Sequence, residues 1–144
     1  MTLEDYDRIL EEAFSFLISE FSYSSRPARG GGGRFGSGLH KTFRRDRQTI
    51  TLLIGDADSQ LFCNVFFSDG DDEQVEPSRR HYRHRTLYFL LKRKCVDFDH
   101  PDMRSLDSDA ARRDALVAYG NLVKEHAIDV VVHAIRGCRL HQAV

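Results

Sequence analysis

Apolar side chains recur at Leu3, Tyr6, Leu10, Ala13, Leu17 and Phe21, with Phe14 widening the stripe. Steps of three and four residues put these positions on one helical face, so the pattern predicts an amphipathic helix over about 3–20. Thr2 is placed to cap it, and Glu4 and Asp5 put negative charge where the helix dipole favours it. The period then changes to two. Leu39, Lys41 and Phe43 alternate with His40, Thr42 and Arg44, and after a turn near Asp46, Ile50, Leu52 and Ile54 alternate with Thr49, Thr51 and Leu53. That is the signature of a hairpin. Gly55, Asp56, Ala57 and Asp58 read as a further turn. Beyond them Leu61, Cys63, Val65 and Phe67 share one strand face, and Phe62, Asn64 and Phe66 the other. The three strands form an antiparallel meander whose Leu52 and Val65 faces are expected beneath helices.

Between the first helix and the hairpin the composition turns to Ser, Arg and Gly, with Pro27 and the run Gly30 to Gly33. Residues 22–38 therefore read as a flexible connector inside one domain. After the strands, Asp69 to Glu76 is an acidic loop. Arg79 to Leu91 reads as a second helix, with Leu87, Leu90 and Leu91 inward and a strand as the alternative. The stretch 97–105 holds Pro101 and is a loop. A last helix starts near Ser108 on the stripe Ala111, Ala115, Leu116, Tyr119, Leu122 and Val123. Asp129 to Ile135 continues or restarts it, and Gly137 suits its C-terminal cap. The expected class is α+β: an N-terminal helix, a short meander, and C-terminal helices packed on the sheet.

At 144 residues, 41% hydrophobic and 30% charged, the chain has the size and composition of one folded domain. Its formal net charge of -1 supplies no global attraction to nucleic acid or to an anionic membrane. Charge is uneven locally, however. The first helix carries Glu4, Asp5, Asp7, Glu11 and Glu12, and the following stretch carries Arg26, Arg29, Arg34, Lys41, Arg44, Arg45 and Arg47. Cys63, Cys95 and Cys138 form no C-x-x-C pair, which argues against a disulfide framework or a zinc knuckle and for a reducing compartment. The start, Met-Thr-Leu-Glu-Asp-Tyr-Asp, lacks the basic region and apolar run of a secretory signal, so a cytoplasmic location is expected.

Candidate chemistry is sparse. Gly31, Gly33 and Gly36 match G-x-G-x-x-G, but a helix precedes them and a strand follows, the reverse of the nucleotide-binding order. Arg26 to Arg34 is a single short RGG-like copy with one aromatic, Phe35. Arg79, Arg80, Arg83 and Arg85, interleaved with His81, Tyr82 and His84, form a basic cluster suited to phosphate contacts. Asp97, Asp99, His100 and Asp102 are interrupted by Pro101, and Asp69, Asp71, Asp72 and Glu73 lack the spacing of a calcium loop, so no metal site is expected. The seven histidines stand in no local nucleophile or paired-carboxylate signature. Cys63, among apolar neighbours, reads as a core residue. These readings point away from an enzyme and from any cofactor.

The layout of an amphipathic helix, strands from Phe43 through Phe67 broken by Gly-Asp-Ala-Asp, a helix around Leu87 to Leu91, and the helix Arg112-Arg113-Asp114-Ala115-Leu116-Val117-Ala118-Tyr119-Gly120-Asn121-Leu122-Val123-Lys124-Glu125-His126-Ala127 resembles the small immunity proteins of bacterial polymorphic toxin and contact-dependent growth inhibition systems. The resemblance implies a non-enzymatic cytoplasmic inhibitor that binds one cognate toxin domain. Against a nuclease toxin, whose cleft is basic, Asp69, Asp71, Asp72, Glu73 and Glu76 are the expected partner-binding residues, mimicking phosphates and speeding encounter. The alternative is a small RNA-binding module using the basic segments 26–47 and 79–94, with Arg79, Arg80, Arg83 and Arg85 as contacts. Nucleic acid is not the expected partner, and no membrane is.

Overall fold

The computed structural model describes residues 2–30, 38–57, 60–69, 86–99 and 108–132, with the side chains of 56, 57, 60–62, 68 and 69 left out. Helices α1 (Leu3–Ala13) and α2 (Ser15–Ser19) lead into strands β1 (Ser24–Gly30), β2 (Leu39–Arg45), β3 (Gln48–Ala57) and β4 (Gln60–Asp69). Helices α3 (Leu87–Arg93), α4 (Asp109–His126) and α5 (Ile128–Val132) follow. The fold is α+β, and the strands form one antiparallel sheet in the order β1-β2-β3-β4.

Thr2 caps α1 as its sequence implies. Its hydroxyl accepts from the Asp5 N–H while its own N–H donates to the Asp5 carboxylate, a reciprocal capping box. That backbone bond holds the Asp5 carboxyl below its ordinary range. The expected helix over 3–20 is two helices meeting at Phe14. Phe14, Phe16 and Leu17 are all buried. On one straight helix positions 14 and 16 lie about 200° apart, so a single rod cannot bury both rings. The break lets Phe14 pack against Phe43, ring centroids 5.9 Å apart, while Phe16 also faces inward.

The two-residue period of β2, β3 and β4 is realised as three buried rows: Phe43, Ile50 and Phe67; Lys41, Leu52 and Val65; and Leu39, Ile54 and Cys63. The helices cover this inner face and share one core with it. Asp46 takes a left-handed conformation (φ 51°) between β2 and β3, which a short polar side chain tolerates. Two boundaries differ from expectation. Gly55, Asp56 and Ala57 belong to β3, since pairing persists to Ala57 opposite Gln60. Part of the supposed connector, Ser24–Gly30, is the edge strand β1; residues 31–37 lie outside the described residues.

The second helix, expected over Arg79 to Leu91, begins only at Leu87: Thr86 is extended, caps α3 through its hydroxyl and pairs with Phe66 of β4; residues 79–85 lie outside the described residues. Leu87 and Leu91 are buried, and Leu90 is half-buried. Ser108 caps α4, and α5 restarts after Ala127. Gly137 lies outside the described residues. Helices α1 and α4 cross closely at Ala13 and Gly120, with Arg113 donating to Glu12 across the junction at 2.7 Å.

Candidate functional site: a charged clasp behind a basic sheet face

Asp7 and Glu11 stand four residues apart on α1 and so share a face, an arrangement that costs an isolated helix a few tenths of a kcal/mol in repulsion. The compensating cation comes from the sheet. Lys41 lies in the middle row of the inner face with its side chain fully buried, and its Nζ donates to Asp7 Oδ1 at 2.6 Å and Glu11 Oε1 at 2.7 Å. The same ammonium lies 5.7 Å from the centre of the Phe43 ring.

Strand β1 completes the clasp through a bulge. Arg26 pairs with Thr42 and Arg29 with His40, so Pro27 and Ala28 together oppose the single residue Lys41. The Ala28 N–H then donates to Asp7 Oδ1 at 2.8 Å, and the Ser25 hydroxyl donates to Glu11 Oε1. Burial pushes both carboxyls up, but the hydrogen bonds from Lys41, joined by Ala28 at Asp7 and Ser25 at Glu11, outweigh it and leave both below their ordinary values.

A second anchor ties β2 to the C-terminal helices. The Arg45 guanidinium lies 4.8 Å from the centre of the Tyr23 ring and donates to the carbonyls of Phe21 at 2.9 Å and Val131 at 3.0 Å. Tyr23 OH donates to the same Val131 carbonyl. Burial pushes the Tyr23 phenol up to about 12, with Arg45 pulling partly back, so the hydroxyl remains a donor. Hydrogen bonds from a charged group contribute about 1.5–3 kcal/mol. Arg45→Ala is therefore expected to lower stability by about 2 kcal/mol and to speed hydrogen exchange in α5 ahead of the sheet. Exchange at α5 unchanged in that variant would remove Arg45 as its tether.

The bulge also decides what the opposite face of the sheet presents. Residues three apart on a regular strand point to opposite faces. Here the extra residue brings Arg26 and Arg29 to the same face, opposite Thr42 and His40. In register that face carries Ser24, Arg44 and Thr49; Arg26, Thr42, Thr51 and Phe66; and Arg29, His40, Leu53 and Asn64, of which Thr49 and Leu53 on β3 are buried. None of these described side chains is a carboxylate. Arg26 and Arg29 are exposed, while Arg44 and His40 are half-buried.

The sequence-derived candidates fare unevenly. Asp69 ends β4, where its backbone pairs with Gln48. Asp71, Asp72, Glu73 and Glu76, and the basic residues Arg79, Arg80, Arg83 and Arg85, lie outside the described residues. Of the basic residues counted in segment 26–47, Lys41 and Arg45 are committed to internal contacts. Among the described residues no group of His, Cys, Asp or Glu is arranged to hold a metal ion, and no described helix is long and apolar enough to cross a membrane. Sequence reasoning missed the clasp, although two signals for it were present: an acid pair at helical spacing, and a lysine between Leu39 and Phe43 on the apolar side of a strand. The chain matches no family model, no curated protein and no solved structure.

Proposed function

We propose that the chain is a non-enzymatic immunity protein that binds a cognate bacterial toxin domain in the cytoplasm and blocks it with a preformed surface. The observation that carries this reading is the layout: an amphipathic N-terminal helix, an antiparallel meander, and a C-terminal helix laid against the first helix. The resemblance rests on that arrangement. Among the described residues, Asp5, Asp7, Glu11 and Tyr23 are each tied to a partner inside the fold and so belong to its framework.

A second reading, a small RNA-binding module, draws on the register that brings Arg26, Arg29 and Arg44 to one face. It is weakened by the internal commitment of Lys41 and Arg45.

Co-expression tests the two. The chain is produced, under inducible control, with a candidate toxin: the C-terminal domain of a large secreted protein whose gene adjoins its own. The expected result is restored growth and a one-to-one complex that survives high salt, because a buried interface centre is weakly screened. Absence of both protection and complex, with binding to generic RNA that falls steeply as salt rises, would replace the proposal with the second reading.

A further inference from the structure

The geometry points to the β1–β2 side of the outer sheet face as a docking surface for a carboxylate-rich protein surface, with Arg26 and Arg29 as its anchors. The assignment rests on reading the chain as a partner-binding protein and adds the surface and the chemistry of the partner.

Three observations support it. Arg26 and Arg29 are exposed, and among the described residues neither side chain makes a hydrogen bond or ion pair. The bulge that sets them on one face is itself held: Ala28 and Ser25 are bonded to Asp7 and Glu11, and those acids to buried Lys41. Bulges commonly re-aim side chains in this way, and a fixed backbone lowers the ordering cost of binding. Finally, the face is buried at Thr49 and Leu53 on β3 and exposed at Arg26 and Arg29 on β1, and none of the described side chains sharing it is an acid.

Guanidinium groups bind carboxylates through paired parallel N–H bonds, and arginine is enriched among the residues that dominate protein interfaces. Nucleic acid fits less well. Two exposed guanidiniums neutralise about two phosphates, which gives weak binding at physiological salt with a slope of about −1.4 for a single strand. The net charge of -1 adds no long-range attraction. Pro27 and the bulge also break the regular ladder of the edge strand, so side chains rather than strand addition make the contact.

The test is a titration of the isotopically labelled full chain, followed by NMR, with a poly-glutamate peptide and separately with a uridine oligonucleotide. Saturable shifts centred on Arg26, Arg29 and His40 are expected with the peptide. Affinity is expected to fall at least tenfold in Arg26→Glu/Arg29→Glu and to be partly kept in Arg26→Lys/Arg29→Lys, which retains charge but loses the fork. If the glutamate variant does not fold, Arg26→Ala/Arg29→Ala replaces it. Shifts elsewhere, no saturable binding, or peptide affinity unchanged by the substitutions would overturn the surface while leaving toxin protection to stand. Tighter binding of the oligonucleotide at the same residues would hand the face to nucleic acid. Loss of protection with the peptide response intact would instead remove the immunity reading.

Discussion

Gly120→Val is expected to lower the thermal midpoint by roughly 10 °C, at about 3 °C per kcal/mol for a domain of this size. A Cβ at Gly120 would sit 2.4 Å from the carbonyl oxygen of Ala13. That atom is backbone, held inside the last turn of α1, so no side chain can swing aside and the two helices must separate. Overpacking typically costs about 1–3 kcal/mol and sometimes more. Valine reaches the upper end because its branches enlarge the clash. Gly120→Ala is expected to cost less, since alanine recovers up to about 1 kcal/mol of helix propensity. The control is Gly30→Ala, where a Cβ meets nothing within 4 Å; it should stay within about 0.5 kcal/mol of the parent. Denaturation midpoints that rank the three variants in any other order would contradict this account of the crossing.

The clasp supplies the second large effect, and its diagnostic is an asymmetry. Removing one side of a buried ion pair costs about 3–5 kcal/mol when the charge left behind stays out of water. In Asp7→Ala/Glu11→Ala the stranded charge is Lys41, whose side chain has no exposure, so a loss in that range is expected. In Lys41→Met the stranded charges are Asp7 and Glu11, whose side chains keep 31% and 37% exposure. Water can solvate them, and methionine fills the lysine's volume, so the loss should be less than half as large. Equal losses would mean that the ammonium reaches water.

Acid titration checks the same network. Both carboxyls titrate lower in the fold than in the unfolded chain, where 3.8 and 4.5 are ordinary for Asp7 and Glu11. The unfolded chain therefore binds more protons as pH falls, and folding stability follows the difference. The clasp contributes fully above about pH 4.5, and its contribution is lost as pH drops through the lowered folded values. Lys41→Met removes the cation that lowers them, so its stability should fall less steeply with acid than the parent's. Parallel acid limbs in the two proteins would show that Lys41 does not set those carboxyls.

Much of the core follows from local pattern. The stripe from Tyr6 to Leu17, the alternation in β2 through β4 and the Ser108 cap each depend on the spacing of neighbouring residues, which periodicity reads directly. Cys63 lies in the core as its apolar neighbours imply. Strand β1 was not legible in this way. Ser-Ser-Arg-Pro-Ala-Arg-Gly has the composition of a connector, and its extended form is stabilised by pairing with β2 and by side chains of α1 that precede it by 14 and 21 positions. Lys41 was misjudged for the same reason. As a basic residue in a basic stretch it counts towards an anion-binding surface, and only the packing of α1 over the sheet turns it inward onto two acids.

The residue pattern alone determined the α+β class, the helix or strand identity of most of the described elements, and the buried side of β2, β3 and β4, because these depend on local spacing and on the drive to remove apolar surface from water. Tertiary structure decided which charges are spent inside and which face outward. A charged side chain's role is set by where its partners lie in space, and here the partners of Lys41, Arg45 and Glu12 are 24 to 101 positions away. The bulge opposite Lys41, and with it the shared direction of Arg26 and Arg29, exists only once those distant pairings have formed.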